Sequence, residues 1–133
     1  MPKEEFLIAM RFLAASVSVI STKDSSGKPY AMTASSVTSL TIDPPSILVC
    51  VNKEASIHDA LTQGENLCIN ILQKHQQEIS NLCSSKKLES QRFENDFWDT
   101  TYIPFVKNAQ SNIFCKVEET IAYHTHKLSL IHI

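Results

Sequence analysis

Residues 30–51 read YAMTASSVTSLTIDPPSILVCV. Thr33, Ser35, Ser36, Thr38, Ser39 and Thr41 crowd short hydroxyl side chains into one run, which Asp43-Pro44-Pro45 then closes. The pattern up to Ile42 is strand-like, and proline ends it because it cannot donate to a sheet ladder. SILVCV (Ser46–Val51) is almost wholly apolar, which predicts a strand buried on both faces. Two readings of the hydroxyl run compete. One is a polar strand with ordinary cross-strand partners; the other is a wall for a ligand that needs small hydrogen-bonding groups and close backbone approach.

Outward from this stretch the chain reads as more strands and a few short helices. Lys3–Ala15 has Phe6, Ala9, Met10 and Leu13 at helical spacing, with Glu4 and Glu5 near its start and Arg11 near its end to suit the helix dipole. SVSVIST (residues 16–22) alternates as a strand, and KDSSGKP (residues 23–29) is a turn cluster. Residues 55–64, ASIHDALTQG, read as a short helix with Ser56 as its cap and Gly64 after its end. NLCINIL (residues 66–72) is a strand, HQQEISNLCSS (residues 75–85) an amphipathic helix, and residues 86–110 a long loop carrying Phe93, Phe97, Trp98 and Tyr102. SNIFCKVEETIAY (residues 111–123) alternates as a strand, and HKLSLIHI supplies the last one. Five or more strands without regular βαβ alternation predict a mainly β fold: a closed or partly closed barrel with short helices outside, forming one domain over residues 1–133.

Composition narrows the function. A net charge of −2 from 12 basic and 14 acidic residues gives no basic surface for nucleic acid or anionic membranes. Cys50, Cys68, Cys83 and Cys115 form no C-x-x-C pair and no zinc-spaced cluster, so no metal is expected. They read as free thiols in a reducing cytoplasm. The N-terminal run lacks signal-peptide character, because Glu4 and Glu5 make its start acidic and Arg11 splits it, and no run reaches membrane-spanning length. Gly27 and Gly64 are the only glycines, which excludes glycine-rich dinucleotide and phosphate loops. Any nucleotide must be held by hydroxyls, a cation and non-glycine loops.

Taken together, MRFLAASVSVIST, the run from Gly27 to Leu61 and NLCINIL resemble the flavin reductase family. The order M-T-A-S-S, then D-P-P, then L-V-C-V followed by a lysine, a serine and a histidine carries the resemblance, which covers nearly the whole chain. It implies an FMN-binding split barrel that passes hydride from NADH or NADPH to FMN or FAD, at flavin N5, with the nicotinamide stacked on the flavin in an open cleft. It further implies a homodimer, and a flavin-dependent monooxygenase as the recipient of reduced flavin, as in the reductases that serve 4-hydroxyphenylacetate hydroxylation. A protein of this barrel that holds FMN and carries electrons without turning over NADH is the alternative.

By resemblance, Thr33, Ala34, Ser35 and Ser36 run along the isoalloxazine and ribityl chain. Cys50, Val51 and Asn52 add backbone contacts, and Lys53 meets the phosphate. Ser56 and His58 stand at a helix start that attracts anions. Phe93, in Arg92-Phe93, flanks the flavin, and His126, in His124-Thr125-His126, is the catalytic histidine. Two departures stand out: Ser16 precedes Val17 where the family has glycine, and the chain stops at Ile133 where the family continues. The expectation is therefore a barrel lacking its last element or elements, with an open edge.

Overall fold

The computed structural model describes residues 2–133. Helix α1 (Lys3–Met10) precedes strands β1 (Ser18–Lys23), β2 (Pro29–Ala34), β3 (Val37–Ile42) and β4 (Pro45–Asn52). A 3₁₀ turn (Ser56–Ala60) leads to β5 (Asn66–Ile71), α2 (Gln77–Ser84) and a second 3₁₀ segment (Lys86–Gln91). The short strands β6 (Trp98–Asp99) and β7 (Phe105–Val106) pair with each other before β8 (Ser111–Tyr123) and β9 (His126–His132) complete the chain. No helix among the described residues is long and apolar enough to cross a membrane.

Seven strands form one sheet in the order β2-β1-β5-β8-β9-β4-β3, antiparallel throughout. Its two edges, β2 and β3, are consecutive in the chain, with only Ser35 and Ser36 between them. Laid flat, seven strands would hold their edges about 29 Å apart. The chain from Ala34 to Val37 spans at most about 11 Å. The sheet therefore curls until its edges meet, as a mainly β split barrel. The C-terminal strand β9 lies inside the sheet, between β8 and β4, and the sheet's two edges are β2 and β3.

The barrel interior collects Ile20, Val49, Val51, Ile57, Leu61, Leu67, Ile69, Val117 and Ile131, all almost fully buried. A second cluster lies outside it, where Val19 and Ala31 meet Leu72, Ile79 and Cys83, Trp98 and Val106. Strands β1 and β5 are consequently buried on both faces. Strand β4 is not: Ile47, Val49 and Val51 point inward while Ser46, Leu48 and Cys50 face outward, half-buried. The expectation of double burial for SILVCV is corrected, because no element among the described residues covers that side. Asp43 and Pro44 form the β3–β4 turn, and Pro45 begins β4, a position where proline costs no ladder bond.

Other boundaries also move. The first helix ends at Met10 rather than Ala15, has no buried residue, and exposes Phe6, Leu7, Ile8 and Met10. The helix expected at residues 55–64 shrinks to the 3₁₀ turn, with no side-chain cap from Ser56; Gly64 (φ +90°) instead turns the chain into β5 and donates to the Val117 carbonyl at 2.8 Å. The loop over residues 86–110 contains the second 3₁₀ segment and the β6–β7 pair.

Asn70 fastens that loop to the sheet. Fully buried on β5, it donates to the Val19 carbonyl (2.8 Å) and the Ser21 hydroxyl (2.9 Å). Its carbonyl oxygen accepts from the Val106 N–H and the Asn112 amide, both at 2.8 Å. Ser21 in turn donates to the Pro104 carbonyl. Replacing Asn70 by leucine keeps the branched heavy-atom shape but strands the buried Val106 N–H. The expected result is a loss of about 2–4 kcal/mol in urea unfolding; an unchanged midpoint would show that the hub contributes nothing.

Candidate functional site

The edge of β2 does not face solvent. Helix α2, the first 3₁₀ turn and residues 84–93 pack along it and leave a groove with two joined chambers. The first, of about 380 Å³, is lined by Met32 and Thr33 from β2, Asn52 at the end of β4, Ser56 and Ile57 from the 3₁₀ turn, and Cys83, Lys86 and Arg92 opposite. The second, of about 490 Å³, continues along β2 past Lys28, Tyr30 and Ala31, with Lys87, Ser90 and Phe93 opposite. Ser56, Lys86, Glu89 and Arg92 line both.

Arg92 builds this wall. It is almost fully buried, and its guanidinium donates to the carbonyls of Leu82 (2.8 Å), Ala31 (2.8 Å) and Ser85 (3.0 Å). It thus ties the end of α2 and the second 3₁₀ segment to β2. Its own carbonyl accepts from the Trp98 indole at 2.8 Å, and Phe93 packs on that indole with ring centroids 4.6 Å apart. Three of five guanidinium donors are spent on carbonyls and none on a carboxylate. Among the described residues no lysine or arginine forms a salt bridge; Lys86 and Arg92 share the first chamber with the carboxylates of Glu54 and Glu89, neither within ion-pair distance of them.

The candidate residues distribute unevenly. Thr33 lines the first chamber and donates its hydroxyl to the Ser80 carbonyl at 2.7 Å, leaving its lone pairs free. Asn52 and Ser56 also line it; the Asn52 carboxamide oxygen caps the following turn by accepting from the Glu54 N–H at 2.9 Å. Phe93 is in the wall of the second chamber. The others lie outside the chamber linings. Ala34 and Val51 face the barrel core. Ser35 is exposed in the link, and at the barrel seam Ser36 extends the β3–β4 pairing, its hydroxyl donating to the Cys50 carbonyl (3.3 Å) and its carbonyl accepting from the Cys50 N–H (3.4 Å). Lys53 is exposed, its N–H bound to the Thr125 carbonyl at 2.9 Å. His58 pairs with Asp59 at 2.9 Å, and its carbonyl accepts from Lys127. With only a five-residue 3₁₀ turn there, no helix terminus is available for an anion. His126 is the register partner of Asn52, about 5 Å away across the strands, with its ring Nδ1 2.8 Å from the Thr125 hydroxyl.

Lys86, Met32 and Cys83 are lining residues that sequence reasoning did not select. The run Ser84-Ser85-Lys86-Lys87, two hydroxyls and two cations just past a helix, is the signal that could have found Lys86; Met32 and Cys83 carry none. Cys83 is no nucleophile: burial pushes its thiol up to about 12, as it does those of Cys68 and Cys115. No group of three or more histidine, cysteine or acidic residues among the described residues is placed to hold a metal. A separate cavity of about 440 Å³ between the start of β1, the end of β5 and α2 is walled by Gln73, Gln76, Gln77, Asn81 and Gln110, with Lys74 its one cation.

The flavin reductase like domain family matches residues 10–133. The chain belongs to this family. Among curated relatives, the FMN reductase (NADH) RutF of Pseudomonas syringae pv. syringae (strain B728a) is 38% identical over 125 residues, which cover 92% of this chain and 70% of that protein. Among solved structures, YcdH from Haemophilus somnus 129PT superposes with a TM-score of 0.91 at 30% identity, covering 100% of this chain and 86% of that one. The styrene monooxygenase flavin reductase SMOB from Pseudomonas putida S12 follows at a TM-score of 0.85 and 26% identity, covering 96% and 82%. In a flavin reductase fold the groove beside Arg92 depends on that residue's reach. In Arg92→Lys an ammonium replaces a rigid fork that satisfies three carbonyls on three segments, so stability is expected to fall by about 1–3 kcal/mol in chemical unfolding. A stability equal to that of the parent would mean that the carbonyls find other donors.

Proposed function

We propose that this protein is an NAD(P)H-dependent flavin reductase and that the first chamber is its flavin site. One observation carries the reading: in a member of the flavin reductase like family, small polar groups and two cations that form no salt bridge line one groove on the β2 edge. FMN or FAD brings an electron-accepting ring, a hydroxylated chain and phosphate, and the chamber matches each in kind. Thr33 and Asn52 offer hydrogen bonds beside the apolar Met32 and Ile57. Ser56, Lys86 and Arg92 set hydroxyl and positive charge where a phosphate needs them.

Hydride leaves NADH or NADPH, which becomes NAD(P)⁺, and with one proton from water reduces the flavin. The chain's residues bind, orient and exclude. His126, across from Asn52, is proposed to stand at the chamber mouth, where an imidazole positions the nicotinamide or holds the proton. Cys50, Val51, Ala34, Ser35 and Ser36 act through the seam and the core that hold Thr33 and Asn52 in place. Reduced flavin is proposed to pass to a monooxygenase, the kind of partner named for the Pseudomonas putida reductase, within the cytoplasm, where buried free thiols persist.

A homodimer is part of this reading. The outward side of β4 and β9 presents half-buried Leu48, Leu128 and Leu130, bordered by exposed Leu40, Ile121 and Tyr123, and no element among the described residues covers it. A contiguous apolar face of this kind favours association. Purified protein is expected to sediment as a dimer, and Ile121→Lys to shift it toward monomer without loss of the folded far-UV spectrum. A parent protein that sediments as a monomer at micromolar concentration contradicts the dimer.

The activity is tested by NADH oxidation at 340 nm, with and without added flavin, on folded protein. Flavin-dependent turnover is the expected result. Flavin binding without turnover would favour an electron carrier, and no flavin binding would overturn the assignment of the groove.

A further inference from the structure

A flavin that carries one phosphate calls on the first chamber and the junction alone. Ser56, Lys86 and Arg92, at the junction of the two chambers, already supply the hydroxyl and charge a single phosphate calls for. Beyond the junction the groove runs on for about 490 Å³ and meets two more cations, Lys28 and Lys87. Neither is paired with a carboxylate, and Glu89 is the only acid in the lining. Four cations against one carboxylate around a single chamber is a strong local excess in a chain of net charge −2.

The chamber is also built. The turn that carries Lys28 is organised by Asp24, whose carboxylate accepts from the Ser26 N–H (2.9 Å), the Ser26 hydroxyl (2.6 Å) and the Lys28 N–H (3.0 Å). The Tyr30 hydroxyl donates to the other oxygen of Asp24 at 3.2 Å, which fixes the ring, and the Lys28 ammonium lies 5.1 Å from that ring's centroid. Opposite stands Phe93, braced by Trp98. Two aromatic rings and a pair of lysines form a lining suited to an adenine ring and a second phosphate.

We propose that the second chamber is an adenylate subsite: it takes the AMP half of FAD, running from the junction toward Lys28 and Lys87, and makes the dinucleotide the preferred flavin. This rests on the flavin reductase reading above and decides between its two flavins. The mononucleotide would fill the first chamber alone. A 2′-phosphorylated adenosine of NADPH shares the same chemistry, so the test separates the two sources.

The test is equilibrium binding, which needs no turnover. Quenching of flavin fluorescence gives Kd for FAD, FMN and riboflavin on the parent and on Lys28→Ala/Lys87→Ala. Both lysines are exposed, so the variant is expected to fold, and its thermal unfolding checks this. The parent is expected to bind FAD at least about fivefold more tightly than FMN. The double variant is expected to weaken FAD about tenfold, the loss of two charge-assisted contacts, and to leave FMN within about twofold. Lys28→Arg/Lys87→Arg is expected to restore FAD binding. AMP alone is expected to displace FAD and not FMN. Equal Kd values for FAD and FMN in the parent, or equal weakening of both in the variant, would overturn the subsite while leaving the flavin site intact. A selective loss of NADPH over NADH in steady-state KM, with FAD binding unmoved, would reassign the chamber to the pyridine nucleotide and overturn the proposal. Failure of the parent to bind any of the three flavins would overturn the subsite together with the flavin reductase reading.

Discussion

Two residues, Ser35 and Ser36, join the opposite edges of a seven-stranded sheet, and the rest of the structure follows from that. A link this short cannot bridge a flat sheet, so the sheet curls and encloses Ile20, Val49, Leu67 and Ile131. No ladder closes the seam between β2 and β3; the Ser36–Cys50 bonds extend the β3–β4 pairing by one residue up to the link. Because β2 never pairs across the seam, its outer edge remains available. Helix α2 and the segment after it cover that edge incompletely, and the groove is what remains.

Buried polar groups set the shape of that cover. Apolar packing of Trp98 and Val106 against Val19 brings the long loop to the sheet, but such contacts are non-directional. Asn70 and Arg92 add direction, since each satisfies several buried partners from different segments at once. An unpaired buried donor or acceptor costs more than a made bond gains, so these residues select one loop arrangement. Arg92 does this while leaving positive charge on the groove wall. The residue that organises the wall also gives it its sign.

The barrel class was legible in the sequence because its strands alternate. Residues 111–123 and the last strand lie where their patterns put them. Strand β4 misled because its outward residues, Leu48 and Cys50, are as apolar as its inward ones; period-2 patterning cannot distinguish a covered face from one that awaits a partner. Sheet order was not legible: β9, the last strand in the chain, is interior between β8 and β4, a placement set by long-range pairing that alternation does not encode. Within the site, Thr33, Asn52 and Ser56 were legible through the family resemblance and line the first chamber. Lys53 was chosen for its charge beside a supposed helix start, whereas the cations that line the first chamber come from a distant segment, Lys86 and Arg92. That proximity arises from α2 folding back along β2, a long-range contact that no local pattern encodes.

The central claim is that flavin binds between the β2 edge and the Arg92 wall. Amide hydrogen exchange with and without saturating FMN tests it most directly, since it reports location independently of activity. The account predicts added protection confined to peptides spanning residues 31–33, 52–57 and 83–92. Protection centred on the glutamine-lined cavity at residues 16–17 and 72–81, with the β2 edge unchanged, would contradict it.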